Sequence, residues 1–223
     1  MIIAIDGPAG SGKSTVAKIL AKHLGIRYLD TGAMYRALTW KAMQHNVNLD
    51  DENALCRIME QTQIHFQSEG KGLQVFVDGR NVTKEIRSPS VTNNTHHISG
   101  KPGVRAMLVN LQRNIASKGN IVAEGRDIGT VVFPHAEKKF FLDARIETRA
   151  KRRFRERETP DNENSLDSVI REIGLRDQRD TTRKDSPLKI SDDSIYIDTT
   201  NLTINEVIHR IIKEVNPLIK NTV

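Results

Sequence analysis

Hydrophobic residues open the chain as a short unbroken run, Met1–Ile5, that stops at Asp6-Gly7-Pro8. A continuous apolar run of this length between turn residues predicts a strand buried on both faces. From Lys13 the spacing changes. Val16, Ile19, Leu20 and Leu24 fall at i, i+3, i+4 and i+8, one face of a helix, and Gly25 follows where a left-handed stop belongs. Ile26–Leu29 reads as a second strand, and Thr31-Gly32 opens a helix through Gln44. A third helix is expected from Asp51 to Gln61.

The alternation is then interrupted. Gln63–Phe66 and Leu73–Val77 read as strands joined through Gly70-Lys71-Gly72, with Asp78-Gly79 as a further turn. They predict a small antiparallel sheet inserted over 63–90, with 1–62 and 91–223 as the core. Val104, Met107, Leu108, Leu111 and Ile115 form a helical stripe that ends before Gly119. Ile121–Glu124, Lys139–Asp143 and Ser194–Asp198 are three more strands. The last helix starts at a capping box, Thr203-x-x-Glu206, and its expected buried face is Ile204, Val207, Ile208, Ile211 and Val215. Five short buried strands separated by helices predict an α/β fold with a doubly wound, five-stranded parallel sheet.

The length, 223 residues, suits one domain with an insertion. No apolar stretch is long enough to cross a bilayer, and the N-terminus lacks a basic flank followed by a long apolar run. The single cysteine, Cys56, cannot form an internal disulfide, which suits a reducing compartment; a cytoplasmic location and no membrane partner are expected. The net charge of +6 points to anionic partners. Of the 19 arginines, 10 lie between Arg145 and Arg183, but with one lysine, Lys151, they alternate with nine acids, so that segment is only +2 net. With aromatics at 4%, a base-stacking surface is not available, and no nucleic-acid partner is expected. The arginines suit phosphates on small molecules; a solvated helix face laced with ion pairs would account for the same letters.

Gly7-Pro8-Ala9-Gly10-Ser11-Gly12-Lys13-Ser14 satisfies G-x-x-x-x-G-K-[ST] and stands after a strand and before a helix, where the motif has physical meaning. Glycines let the backbone wrap closely enough for its N–H groups to point at a polyphosphate, and the helix start adds partial positive charge. Residues Gly7 to Thr15 are therefore the expected ATP site. Lys13 would reach the β- and γ-phosphates and Ser14 would ligate Mg²⁺. The chain is short for a helicase core and carries no Asn-Lys-x-Asp guanine-reading segment. A phosphate loop alone does not name the acceptor.

Three further segments bear on the acceptor. In Leu29-Asp30-Thr31-Gly32-Ala33-Met34-Tyr35-Arg36, Thr31 reads either as a binding residue or as the helix N-cap, and Arg36 as a phosphate contact or a surface ion pair. Glu124-Gly125-Arg126-Asp127 follows a strand, the end at which open α/β sheets bind ligands, and Gly125 would permit an unusual backbone turn there. A structural ion pair of Arg126 with an acid is the alternative. In the third, Leu166, Val169, Ile170 and Ile173 make an amphipathic helix; if it continues, Arg176, Asp180 and Arg183 share one face at i, i+4 and i+7.

These segments together resemble the bacterial cytidylate kinase family. The likeness is collinear: the loop at 7–14, Leu-Asp-Thr-Gly-Ala-Met-Tyr-Arg at 29–36, Val-Arg at 104–105, Glu-Gly-Arg-Asp-Ile-Gly-Thr-Val-Val-Phe-Pro at 124–134, Phe-Leu-Asp-Ala at 141–144 and the Arg-Asp-rich stretch at 176–183. It implies a core of the P-loop kinase type, an inserted nucleoside-monophosphate subdomain over 63–90 and a mobile lid over 149–160. It implies that Thr31, Arg105 and Asp127 lie near the CMP base, and that Arg36 and Arg126 surround the acceptor phosphate. Arg176, Asp180 and Arg183 match the ribose and phosphate set, and Arg149, Arg152, Arg153 and Arg157 are lid candidates. His96 departs from the family pattern, which has a serine near the pyrimidine amino group.

The implied reaction moves the γ-phosphoryl group of Mg·ATP to CMP or dCMP on a monomeric enzyme, with Lys13, Arg126 and Arg183 stabilising the transferred charge. The acceptor is a phosphate oxygen already ionised near neutral pH, since a phosphomonoester's second pKa is about 6. No general base is needed. A hydroxylated metabolite as acceptor would need a carboxylate base, for which Asp30 or Asp127 could serve; Asp30 is also a candidate to support Mg²⁺. A nucleotide binder without catalysis would instead show salt-sensitive RNA binding.

Overall fold

The computed structural model describes residues 1–69, 72–156 and 165–220. The chain falls into two compact units, Met1–Leu29 with Gly119–Val223, and Asp30–Lys118.

The first unit is built on a five-stranded sheet in which β1 (Ile2–Asp6) is central. Neighbours are β2 (Arg27–Asp30), β6 (Ile121–Gly125), β7 (Lys138–Asp143) and β8 (Ile195–Asp198), in the order β2-β6-β1-β7-β8. The pairings recorded around β1 and β7 are parallel, with Ile3 opposite Val122 on one side and Lys138 on the other. Parallel strands need crossovers, and these are the helices that the 3.6-residue spacing announces. α1 (Lys13–Leu24) and α8 (Ile204–Lys220) cover one face, where Ile3, Ile5, Leu20, Phe140, Leu142, Val207, Ile211 and Val215 pack together. α1 ends at Gly25 in the left-handed region (φ 63°), as the spacing requires.

Two expected core positions are not buried. Ile204 is 47% exposed and Ile19 is 40% exposed. Ile204 is the first residue of α8, and Leu202, just before the helix, packs on the core at that end instead. The capping box itself forms: Glu206 accepts from the Thr203 N–H and hydroxyl at 2.8 Å, and Thr203 accepts from the Glu206 N–H.

α6 (Ile146–Arg155) and α7 (Leu166–Thr182) pack through Ala150, Val169 and Ile173. α7 stops one residue before Arg183, whose backbone is extended (ψ 140°). Arg183 is therefore a C-cap residue and not the third member of a helical face with Arg176 and Asp180. Between β6 and β7, residues Ile128–Val132 form a single π-helical turn, a feature that no periodicity announces.

The second unit holds α2 (Thr31–Gln44), α3 (Glu52–Glu60), α4 (Pro89–Ser99) and α5 (Pro102–Ala116). It also holds a three-stranded antiparallel sheet of β3 (Ile64–Glu69), β4 (Gly72–Val77) and β5 (Arg80–Asn81). α4 carries no regular apolar stripe; it is set by Ser88, whose hydroxyl caps the Val91 N–H, and by Pro89 at its first position. The N-cap of α2 is Asp30, whose carboxylate accepts the Ala33 N–H at 2.8 Å. Thr31 is the next residue along, so a capping role for Thr31 is replaced by one for Asp30.

Candidate active site

In the first unit the loop between β1 and α1 turns back on itself through glycines with positive φ. Gly7 (φ 146°) lies so close to β7 that a Cβ would sit 2.0 Å from the Leu142 carbonyl oxygen, which excludes any other residue. Lys13 is 5% exposed, and its Nζ donates to the Pro8 carbonyl at 2.7 Å. Burial, reinforced by Arg126 and Arg176, lowers the ammonium from its ordinary value to about 7, against the pull of Glu124 and Asp6. Ser14 and Thr15 are exposed on the first turn of α1.

Around this loop the ends of β1, β6 and α7 bring charged groups together. Arg126 Nε donates to Asp180 Oδ2 at 2.7 Å, both side chains being largely buried. Burial alone would favour neutral forms, but each charge outweighs that for the other: Asp180 is held below the ordinary carboxylate range by Arg126, Arg176 and Arg183, and Arg126 is raised by Asp180 and Glu124. Arg183 Nε donates to the Ser186 carbonyl at 2.6 Å, and its Nη2 lies 3.7 Å from Asp127 Oδ1. Gly125 ends β6 and is not among the positive-φ glycines; the turn is made by Asp127, at φ −144° and ψ 25°.

Asp6 and Glu124 acquire roles that motif reading did not assign them. Asp6 is 4% exposed and accepts from Ile128 N at 2.8 Å and Gly129 N at 2.7 Å, so it holds the π turn that begins just after Arg126 and Asp127. The available signal was an acid ending a strand otherwise buried on both faces, because a buried carboxylate requires partners. Glu124 accepts from the Tyr28 hydroxyl at 2.9 Å.

Burial raises Asp6 to about 6, with the nearby Asp127 adding to the rise and the two N–H donors opposing it. Since the folded protein binds this proton more tightly than the unfolded chain, Asp6 costs stability as pH rises from about 4 to 6, and the cost is constant above that. At 1.36 kcal/mol per pH unit this is about 3 kcal/mol. Unfolding wild type and Asp6→Asn by urea across this range should show the wild type losing stability relative to the variant as pH rises. A difference that does not change with pH would contradict the assignment.

Four arginines were expected in a lid. Arg149 is 7% exposed, with Nε on the Ala144 carbonyl at 2.8 Å and Nη1 on the Ala9 carbonyl at 3.1 Å and on Asp177. Arg152 donates to Thr199, and Arg153 pairs with Glu156 at 3.5 Å. Arg157 lies outside the described residues.

The second unit carries its own anionic-ligand candidates. Arg36 donates to Asp30 Oδ2 at 3.0 Å, and Arg87 Nη2 lies 3.6 Å from the same oxygen. Both Asp30 oxygens are thus engaged, one by the helix cap and one by arginine, which leaves Asp30 poorly suited to serve as a base or to support Mg²⁺. Thr31 is 4% exposed. Arg105 is buried, donates to the Ser99 carbonyl at 3.1 Å and sits 5.4 Å from the Tyr35 ring centre. His96 Nδ1 lies 2.7 Å from the Asn93 carbonyl, so that nitrogen carries the proton in this pairing.

The strand order and the loop are those of the P-loop kinase fold. The same fold is seen in shikimate kinase from Bacteroides thetaiotaomicron, with a TM-score of 0.50 and 11% identity over 97% of this chain and 98% of that one. Sequence narrows the class. The profile of the cytidylate kinase family matches residues 3–217. Cytidylate kinase of Carboxydothermus hydrogenoformans is 50% identical over 213 residues, 96% of each chain, and that of a Geobacillus species is 51% identical over 214 residues, again 96% of each. The chain belongs to the cytidylate kinase family and is an ATP-dependent phosphotransferase of the nucleoside monophosphate kinase kind.

Among the described residues no group of three or more His, Cys, Asp or Glu could hold a metal ion, and no helix is long and apolar enough to cross a membrane.

Proposed function

We propose that the chain transfers the γ-phosphoryl group of Mg·ATP to the 5′-phosphate of CMP or dCMP. A phosphate oxygen of the acceptor forms the new bond to the γ-phosphorus, the bond from that phosphorus to the β–γ bridging oxygen breaks, and ADP leaves with CDP or dCDP. The observation that carries this reading is the phosphate loop with its buried Lys13, beside which half-buried Arg126 is held by Asp180 at 2.7 Å and half-buried Arg176 adds further positive charge. A group of cations in low dielectric is what two meeting polyanions require. Histidines need take no part, because the attacking oxygen is already ionised near neutral pH.

The residues fit Mg²⁺ carried by the nucleotide. Ser14 offers an exposed hydroxyl on the first turn of α1, directly after Lys13. Mg²⁺ supplies charge neutralisation on the β- and γ-phosphates. The residues do the rest: backbone N–H groups of Gly7–Thr15 and Lys13 hold ATP. Arg126 and Arg183 stabilise the transferred charge. Arg36 and Arg176 hold the acceptor phosphate and ribose side with Asp180, and Thr31, Arg105 and Asp127 contact the base end. In this reading the partners are ATP and CMP or dCMP, not nucleic acid, and the enzyme acts as a monomer in the cytoplasm.

The test is ADP release from Mg·ATP with CMP, dCMP, UMP, AMP, shikimate or no acceptor. Release with CMP and dCMP, weak with UMP and absent with shikimate, is expected. No rate with CMP above the acceptor-free background would overturn the acceptor assignment while leaving the loop's ATP site standing.

A further inference from the structure

Helix α6 and the segment after β8 reach the phosphate loop at the carbonyls of Ala9 and Ser11. We propose that Thr199, braced by Arg152, is a positioning residue for ATP: it fixes the Ser11–Gly12 peptide so that the Gly12 N–H faces the phosphates. The proposal rests on the ATP-binding reading of the loop.

Thr199 is 2% exposed. Its Oγ1 lies 3.2 Å from the Ser11 carbonyl oxygen and 2.9 Å from that of Asp143. A hydroxyl has one proton to give. The Asp143 carbonyl has two lone pairs and accepts both the Thr199 backbone N–H at 2.7 Å and the hydroxyl at 2.9 Å, so the hydroxyl proton is shared between Asp143 and the Ser11 carbonyl at 3.2 Å. Arg152 sets its direction. Nη1 donates to Thr199 Oγ1 at 3.0 Å and Nη2 to the Thr199 carbonyl at 2.6 Å, a two-point grip that leaves the hydroxyl oxygen as acceptor on the arginine side.

The consequence follows from peptide geometry. A trans peptide is planar, with its C=O and the next N–H pointing in opposite directions. No cis bond occurs among the described residues. Anchoring the Ser11 carbonyl on Thr199 therefore turns the Gly12 N–H to the opposite side, where the loop receives anionic oxygens. Gly12 has φ 95°, a conformation open to rotation in the absence of a Cβ, so the orientation needs an external hold.

A second contact acts two residues earlier. Arg149 Nη1 anchors the Ala9 carbonyl, and the backbone of Arg149 lies so close to Gly10 that a Cβ there would meet the Arg149 carbonyl oxygen at 2.9 Å. α6 thus backs the loop at two carbonyls, Ala9 directly and Ser11 through Thr199. The arginines doing so act on the loop's backbone.

Thr199→Val preserves shape and removes the hydroxyl; Thr199→Ser restores it. ATP affinity of the full chain is read by calorimetry, and KM for ATP and for CMP by steady-state kinetics. Thr199→Val should weaken ATP binding and raise KM for ATP about fivefold, the factor carried by one neutral hydrogen bond. KM for CMP should stay within about twofold, and Thr199→Ser should return ATP affinity to within about twofold of wild type. Wild-type ATP affinity in Thr199→Val, or equal rises in both KM values, would overturn the role. If the valine chain does not fold, Thr199→Ala against Thr199→Ser makes the same comparison. Calorimetry needs no acceptor, so a wild-type chain that does not bind ATP would count against the loop reading, whereas a binding wild type with an unaffected valine variant counts against Thr199 alone.

Discussion

Lys13→Ala should lower kcat by about two to three orders of magnitude, the usual loss when one preorganised donor to a developing anion is removed. The loss should be larger in kcat than in KM for ATP, because backbone N–H groups of the loop still hold the phosphates while the charge that builds up during transfer loses its nearest cation. A folded variant with wild-type turnover would remove Lys13 from the mechanism. The same residue predicts a pH effect. In the free protein Lys13 titrates near 7, lowered chiefly by burial and then by Arg126 and Arg176. In the proposed reading ATP pairs with the ammonium form. As pH rises through 7 that form is lost, so kcat/KM for ATP should fall above pH 7, by up to about tenfold per unit, since this ratio reports the free enzyme. Bound phosphates raise the pKa, so kcat should hold to higher pH. A flat kcat/KM between pH 7 and 9 would contradict the buried, weakened ammonium.

Asp180→Ala carries the second large effect, and it is double. Asp180 pairs with Arg126 at 2.7 Å with only 14% and 16% of the two side chains exposed. Removing the acid leaves a buried guanidinium without this partner, which costs about 2–3 kcal/mol, less than a fully enclosed pair because some exposure remains. In the proposed reading it also removes an acceptor for the ribose hydroxyls, so KM for CMP should rise about tenfold or more, with KM for ATP changed far less. Asp180→Asn, which keeps an acceptor for Arg126 without the charge, should fall between. Urea unfolding and initial rates separate the two consequences; a KM defect confined to ATP would mean that Asp180 faces the other substrate. The pairing also has a pH sign. Asp180 titrates below its ordinary value, so its stabilisation is present above the unfolded pKa near 4 and is lost as pH falls below that.

Much of the fold is legible in the letters, because the signals involved are short-range. Met1–Ile5 and Ile121–Ala123 are apolar on both faces, as suits a parallel sheet covered by helices. The phosphate loop is legible for the same reason: its geometry is set by glycines within eight positions. Periodicity gave no hint of α4, whose sequence between Pro89 and Ser99 is polar and β-branched and which begins because Ser88 caps it. It also extended the α7 face one residue too far, to Arg183, which leaves the helix and donates to Ser186.

The chain's letters therefore settle its strands, most of its helices, its phosphate-loop motif and its family. Which charge meets which is a matter of the folded molecule. Asp6 reads as a mere strand boundary until the π turn, 122 positions away, presents two N–H groups to it. Thr199 reads as a loop residue until it meets Ser11, 188 positions away. Arg149 and Arg152 read as lid candidates, and only the fold shows that they donate to the carbonyls of Ala9, Ala144 and Thr199. Spacing and propensity act over a turn or a strand, whereas a buried charge is assigned its partner by whichever group the packing brings within about 3 Å in a medium that does not tolerate it alone.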